Sequence, residues 1–185
     1  MTSAQDDESL RIVTLCTGNV ARSAMLGYML TTLAESQGAR WSVRTAGTHV
    51  IEGLAMSGRT RDAMMAIGEL GDHHYGAHRS HQLSAEDVQW ADVVLASGAD
   101  HVRFVGANFP DQAAKAVQLH QFVRHAPLDA APEDQVAWVA AMDPDEALDV
   151  RDPAGGDQAV YDAVARELWE LAQVFSVLVS PEAGP

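Results

Sequence analysis

The stretch IVTLCTGNVARS, residues 12–23, decides the fold because an apolar run gives way within a few residues to the start of a helix. We predict a buried strand over residues 11–16 and a helix over residues 21–37, which Gly38 ends. A strand followed so closely by a helix is the first half of a strand–helix–strand unit, the unit that builds parallel sheets. The stretch also holds Cys16, the one cysteine of the 185-residue chain.

The alternation of apolar runs and helix-period segments continues beyond this unit. Ser84 is a typical helix cap, and residues 127–146 are predicted to form a surface excursion with a short helical pattern at 136–142. We therefore expect one α/β domain over residues 11–179, with tails at 1–10 and 180–185. The further elements predicted are strands at residues 41–46, 91–97 and 115–119, and helices at residues 60–70 and 157–179.

Charge and composition restrict the partners. The chain has 26 acidic and 12 basic residues and a formal charge of -14, so its surface repels nucleic acid and anionic lipid at long range. We expect no nucleic-acid or membrane partner, and any phosphate-bearing partner must be held by a local site. The sequence contains no apolar stretch of bilayer length, and the first residues lack the order of a secretory signal, so a cytoplasmic protein is expected.

The residues after the first strand are suited to binding an anion. A five-residue loop can turn its backbone amides inward, and the helix start adds free amides and the positive end of its dipole. Gly18 permits backbone conformations closed to other residues, and Asn19 tolerates the left-handed region. Arg22 can bind two oxygens of a tetrahedral oxyanion. We call residues 17–23 the anion loop; its members are Thr17, Gly18, Asn19, Val20, Ala21, Arg22 and Ser23.

Cys16 directly precedes the anion loop. A lone cysteine at a strand end is usually a small buried hydrophobe. Here the positive field of the loop favours the thiolate over the thiol, and the Ser23 hydroxyl can stabilise both that thiolate and a departing sulfur. We therefore predict that Cys16 is a nucleophile.

The motif CTGNVARS, residues 16–23, resembles the phosphate-binding loop of the low-molecular-weight protein tyrosine phosphatases, a family that includes related single-cysteine arsenate reductases. VRTAGT (residues 43–48), HRSHQL (78–83) and DVRDPAGG (149–156) are similar to further motifs of the family, in the same order. The resemblance covers about residues 11–179. It implies a three-layer α/β/α fold with a four-stranded parallel sheet and the phosphate-binding loop between the first strand and the first helix.

The resemblance also implies a phosphomonoester hydrolase, of the protein tyrosine phosphatase kind, that acts through a phosphocysteine intermediate without a metal or cofactor. Cys16 attacks phosphorus, Arg22 stabilises the oxygens, and Asp152 acts first as the general acid and then as the base that activates water. Asp143 also precedes a proline, but Asp152 has the flanking residues typical of the family. The expected substrate is a phosphorylated protein or a small phosphomonoester. Supporting roles fall to Asn19, Ser23, Thr45 and His78.

The chain departs from the family at the positions of the aromatic walls that hold a phosphotyrosine ring. Ile51 or a neighbour occupies one, and Ala154 and Gly155 occupy the other, which leaves phosphotyrosine preference open. Two alternatives to a phosphatase therefore stand. One is an arsenate reductase that uses an external low-molecular-weight thiol, because the single cysteine excludes an internal relay. The other is a non-catalytic phosphate- or phosphoprotein-binding regulator. The oligomeric state is not assigned.

Four histidines, His73, His74, His78 and His81, lie close together in the sequence. Gly76 interrupts their spacing, and neither a cysteine nor a clear carboxylate completes a ligand set. We predict no metal site here, and we expect His78 to form a hydrogen bond near the anion loop.

Overall fold

The computed structural model describes residues 9–71 and 73–180, in which four strands form one parallel sheet. The strand order is β2-β1-β3-β4, with β1 and β3 in the centre. Both central strands are buried on both sides over residues 12–16 and 93–96, which explains why their sequences are mostly apolar rather than alternating. The strands are β1 (Leu10–Cys16), β2 (Trp41–Gly47), β3 (Val93–Ala96) and β4 (Ala116–Gln118). The predicted four-stranded parallel sheet is thus confirmed.

Helices cover both faces of this sheet. On one face Ile12 and Leu95 pack with the helices α1 and α7, and on the other Val13 and Val94 pack with α3 and α4. This confirms the three-layer α/β/α arrangement. Among the described residues, no helix is both long and apolar enough to span a membrane. The helices are α1 (Arg22–Gln37), α2 (Gly58–Met65), α3 (Ala85–Trp90), α4 (Ala99–Asn108), α5 (Leu119–His125), α6 (Pro132–Ala140) and α7 (Gln158–Val179).

Capping residues set several helix ends where the sequence indicated. Gly38 ends α1 with φ 64°, a left-handed conformation that favours glycine. Ser84 and Asp87 form a reciprocal capping box at the start of α3, and the Asp157 side chain accepts a hydrogen bond from Val160 N at the start of α7. The helix predicted over residues 60–70 is wrong at its end: α2 stops at Met65, and a separate 3-10 turn covers Gly68–Leu70.

Residues 127–146 are more than a surface excursion. Helix α6 begins at Pro132, four residues before the predicted position, because proline is well suited to a first helical turn. Val136 and Val139 join the hydrophobic core, and the fully buried Gln135 donates hydrogen bonds to carbonyls outside its helix. The predicted tails lie outside the described residues, except that Ser9 and Leu10 precede and open the first strand and Ser180 caps α7.

The carboxyl ends of the two central strands bring three segments together. The anion loop follows β1, and α4 follows β3 after a short turn. Val150 N donates to Ser97 O at 2.8 Å, which places the segment around residue 150 beside the end of β3. In parallel α/β sheets this edge is where ligands bind.

Candidate active site

The anion loop directs its carbonyl groups outward. The backbone amides of residues 17–21 donate to no described residue, so five N–H groups are available to an oxyanion. Donors outside the loop bind the carbonyls, which fixes the orientation of the peptide groups. These bonds are Thr48 N to Cys16 O at 2.9 Å, His49 N to Thr17 O at 3.0 Å, His78 Nε2 to Asn19 O at 2.7 Å and Thr60 Oγ1 to Val20 O at 3.1 Å.

Asn19 takes the strained position in this loop. Its φ is 53°, in the left-handed region that asparagine tolerates better than most residues. Gly18, which permits conformations closed to other residues, is not among the glycines with positive φ. The Asn19 side chain holds this turn through one hydrogen bond to Ser23 within the loop and one from His81 N outside it.

Gly47, the last residue of β2, supports the loop from behind. A Cβ atom at this position would lie 2.5 Å from Thr17 O and 3.1 Å from Asn19 N. The backbone of the loop therefore approaches β2 more closely than any side chain would allow. This close contact explains the glycine in VRTAGT.

A chain of hydrogen bonds ends at the cysteine. The amide of His81 can only donate, so the atom of Asn19 that faces it at 2.8 Å is Oδ1, and Nδ2 must face Ser23 Oγ at 2.8 Å. The Ser23 oxygen accepts that bond, and its own hydrogen is left for Cys16 Sγ, which lies 3.0 Å away. Cys16 is 2% exposed. The arrangement leaves the Ser23 hydroxyl free to donate a hydrogen bond to the cysteine sulfur at the base of the loop.

Arg22 connects the anion loop to the segment that carries Asp152. Its Nη2 donates to Asp152 Oδ2 at 2.9 Å and to Thr17 Oγ1 at 3.3 Å, and its Nη1 donates to Val150 O at 3.2 Å. The Arg22 side chain is 8% exposed, whereas that of Asp152 is 50% exposed. Asp152 thus stands over the loop with one face towards solvent, as a proton donor to a leaving group requires.

The competing carboxyl group is placed elsewhere. Asp143 is not among the residues that line the cavity over the loop, and its backbone carbonyl accepts a hydrogen bond from Gln121 Nε2 at 2.7 Å. Of the two predicted candidates, Asp152 lines the cavity over the anion loop and Asp143 does not.

A cavity of about 340 Å³ opens over the anion loop. Ile51 is 73% exposed, and Ala154 is also exposed, so neither expected aromatic position supplies a wall. The rings of His49 and Phe104 meet edge to face on one side instead, with centroids 5.6 Å apart. The residues that line the cavity without having been predicted include His49, Gly98, Asp100, His101 and Phe104.

His101 is the most notable of these additions. It is 6% exposed, and its Nε2 lies 3.0 Å from Thr17 Oγ1. Burial, followed by the charge of Arg22, lowers the pKa of His101 to about 4. Burial also lowers the pKa of His78. The position of His101 just after a strand at the carboxyl edge of the sheet is a signal that sequence reasoning missed.

The remaining predicted residues lie further from the loop or have other partners. Thr45 faces Gly27 of α1, and it makes no hydrogen bond to the anion loop among the residues described. The histidines do not converge: His73 Nε2 lies 2.7 Å from Thr32 Oγ1, and His81 Nε2 lies 2.9 Å from Asp87 Oδ2. Within residues 9–71 and 73–180 no group of three His, Cys, Asp or Glu side chains is arranged to hold a metal ion.

Comparison with known proteins agrees with this geometry. Residues 11–134 match the model of the low molecular weight phosphotyrosine protein phosphatase family. The chain is 33% identical over 161 residues to a protein-arginine-phosphatase of Geobacillus stearothermophilus, covering 87% of this chain and 90% of that protein. A protein-arginine-phosphatase of Bacillus subtilis is 27% identical, over 86% of this chain and 90% of its own length.

Solved structures give the same result. A low-molecular-weight protein tyrosine phosphatase from T. tengcongensis superimposes with a TM-score of 0.72 and 27% identity, over 90% of this chain and 97% of that one. An arginine phosphatase from Geobacillus stearothermophilus superimposes with a TM-score of 0.70 and 30% identity, over 90% of each chain. The chain therefore belongs to the low-molecular-weight phosphotyrosine protein phosphatase family.

Proposed function

We propose that this chain is a phosphatase that removes the phosphoryl group from modified protein side chains through a phosphocysteine intermediate. The observation that carries the proposal is the hydrogen-bond chain that ends at Cys16, beneath a loop in which the amides of residues 17–21 have no partner among the described residues. Such a loop stabilises the oxygens of a phosphoryl group while the sulfur attacks it.

In the first step the Cys16 thiolate attacks phosphorus. The P–S bond forms as the bond to the leaving atom breaks, and Asp152 gives its proton to that atom. The phosphoryl oxygens accept hydrogen bonds from the loop amides and from Arg22. In the free protein Arg22 Nη2 is bonded to the Asp152 carboxylate, and an arriving oxyanion takes over this donor. The released carboxylate takes up a proton from solvent and then gives that proton to the leaving atom.

In the second step Asp152, now ionised, removes a proton from water, and the water oxygen attacks phosphorus. The P–S bond breaks and inorganic phosphate is formed. The electrons of that bond return to sulfur, where the Ser23 hydroxyl, 3.0 Å away, stabilises the thiolate. Each step balances without a metal or a redox cofactor.

The substrate that we propose is phosphoarginine in a protein. Asp100, Asp149 and Asp152 place three carboxyl groups on the cavity, and positions 51 and 154 lack the rings that would hold an aryl group. A positively charged guanidino leaving group suits this lining better than a neutral phenol does. The curated relatives named as protein-arginine-phosphatases support the same choice.

We also propose that the protein works in a reducing compartment such as the cytoplasm, because reducing conditions keep a nucleophilic thiol from being oxidised.

The test compares kcat/KM for a phosphoarginine peptide and a phosphotyrosine peptide of the same flanking sequence. We expect turnover of both to vanish in Cys16→Ser, and we expect the preference for phosphoarginine to decrease in Asp100→Asn, which preserves shape and removes one charge. A higher kcat/KM for phosphotyrosine would refute the substrate assignment but keep the phosphatase. Production of arsenite from arsenate and a small thiol, without phosphatase turnover, would establish the reductase instead. Phosphate binding without either activity would establish the regulator.

A further inference from the structure

His101 lies where the two central strands bring their following segments together. It is the third residue of α4, and the first turn of that helix is held by the Asp149 carboxylate, which accepts a hydrogen bond from Ala99 N at 2.7 Å. The ring lines the cavity over the anion loop although the residue is almost fully buried. Neither the family motifs nor the mechanism above uses this side chain.

A third residue constrains the hydrogen bond between His101 and Thr17. Arg22 Nη2 lies 3.3 Å from Thr17 Oγ1, and a guanidinium can only donate, so the threonine oxygen accepts this bond. The hydroxyl hydrogen of Thr17 therefore does not point at Arg22 and can be donated to His101 Nε2, which lies 3.0 Å from the same oxygen. Nε2 can accept it only when the ring is neutral and carries its proton on Nδ1.

The surroundings keep the His101 ring neutral, and the described residues offer it one polar contact, the Thr17 hydroxyl. Its pKa is lowered to about 4 mainly by burial and secondly by the positive charge of Arg22. The negative charges of Asp100 and Asp152 raise the pKa, but by less than burial and Arg22 lower it. Nδ1 is buried and has no hydrogen-bond partner in the described part of the chain. The Thr17 hydroxyl is thus the only polar partner that these residues offer the imidazole.

We propose that His101 is a positioning residue: by accepting the hydroxyl hydrogen of Thr17, it turns the threonine oxygen towards Arg22 and fixes the guanidinium over the anion loop. The contact gains importance when a ligand binds. An oxyanion that replaces the Asp152 carboxylate at Nη2 leaves Thr17 as the side chain that still holds this nitrogen. The inference rests on the proposed function, because it assumes that the loop binds a phosphoryl group.

The test measures the Kd of inorganic phosphate by calorimetry and kcat and KM for p-nitrophenyl phosphate, using the full chain. Thr17→Val and His101→Leu each remove one partner, and the double variant removes both. His101→Gln is the conservative variant, because its amide oxygen can reach the position of Nε2 and accept the same hydrogen. His120→Ala is the matched control, since this histidine is partly buried and bonds Glu167 at 2.7 Å on the far helices.

Loss of one hydrogen bond changes a binding constant about tenfold. We therefore expect His101→Leu to raise the Kd of phosphate about tenfold and to lower kcat/KM by a similar factor. His101→Gln should stay within about threefold of wild type and His120→Ala within about twofold. Because His101 acts through Thr17, the double variant should lose no more than the worse single variant.

Additive losses in the double variant would overturn the inference, as would an unchanged phosphate Kd in His101→Leu. Equal losses in His101→Leu and His101→Gln would also overturn it, since they would indicate a packing role. Failure of the proposed function has a different signature. A wild-type protein that hydrolyses no phosphate compound, but whose phosphate Kd still shows the non-additive pattern, would refute the phosphatase and retain the positioning role.

Discussion

The ion pair between Arg22 and Asp152 leads to a prediction with two effects of opposite sign. Asp152→Asn removes the general acid, but it also removes the anion that occupies Arg22 Nη2 in the free protein. Asparagine retains the side-chain oxygen that accepts a hydrogen bond from Ala154 N at 3.0 Å, so the turn of the loop should survive. We therefore expect kcat to fall while phosphate binds more tightly.

The two magnitudes follow from the geometry. Loss of a positioned general acid costs roughly 10²–10⁴ in rate. The ion pair is 2.9 Å long, but the Asp152 side chain is half exposed, so its contribution is that of a partly screened pair, up to about 1 kcal/mol. Releasing Arg22 from that pair should lower the Kd of phosphate by up to about fivefold.

The assay combines calorimetry with phosphate and steady-state kinetics with two esters. Phenyl phosphate, whose leaving group is poor, should show a larger loss of kcat than p-nitrophenyl phosphate, because a poor leaving group depends more on the acid. A kcat equal to that of wild type for phenyl phosphate would refute Asp152 as the acid. Weaker phosphate binding in Asp152→Asn would refute the competition between the carboxylate and the ligand for Arg22.

Three further perturbations address other parts of the account. Ser23→Ala removes the hydrogen bond to Cys16 Sγ, so kcat should fall roughly ten- to hundredfold, and an unchanged kcat would contradict the thiolate role. The same change leaves the buried Asn19 Nδ2 without its hydrogen-bond partner, so the melting temperature should fall as well. Gly47→Ala places a Cβ 2.5 Å from Thr17 O, so the free energy of unfolding should fall by about 1–3 kcal/mol in chemical denaturation, and phosphate should bind more weakly. Wild-type values for both quantities would exclude the close contact. The third concerns pH: His101 has a pKa of about 4 when folded and 6.5 when unfolded, so the unfolded state binds more protons between these values. Stability should therefore fall by up to about 3 kcal/mol as the pH drops through this window, and urea titrations should show a smaller drop for His101→Gln.

Most of the fold was accessible from the sequence because strongly patterned segments carry their own signals. The continuous apolar run that ends at Cys16 predicts a central parallel strand, and Gly38, Ser84 and Asp157 mark helix ends through local chemistry. Segments that depend on distant contacts were less accessible. Helices α4 and α5 were not predicted, and α6 becomes part of the core only because other elements cover Val136 and Val139.

The residues of the site also divide into those that a local motif predicts and those that depend on distant contacts. Cys16, Arg22 and the loop lie within one motif, so their proximity is a matter of local geometry. The position of Asp152 beside Arg22 depends on a contact across 130 residues, which a motif indicates only by resemblance. His101 carries no motif signal, and its role depends on a neighbour 84 residues away. The strained conformation at Asn19 rather than Gly18 is likewise held in part by a hydrogen bond from outside the loop.

The central claim is that the phosphoryl group passes through the sulfur of Cys16. Rapid acid quenching of Asp152→Asn mixed with p-nitrophenyl phosphate, followed by mass spectrometry of its peptides, tests this directly. The good leaving group allows the first step, whereas loss of the base slows the second, so the account predicts one phosphoryl group on the peptide that contains Cys16. Phosphoryl transfer to another residue, or full turnover by Cys16→Ser, would contradict it.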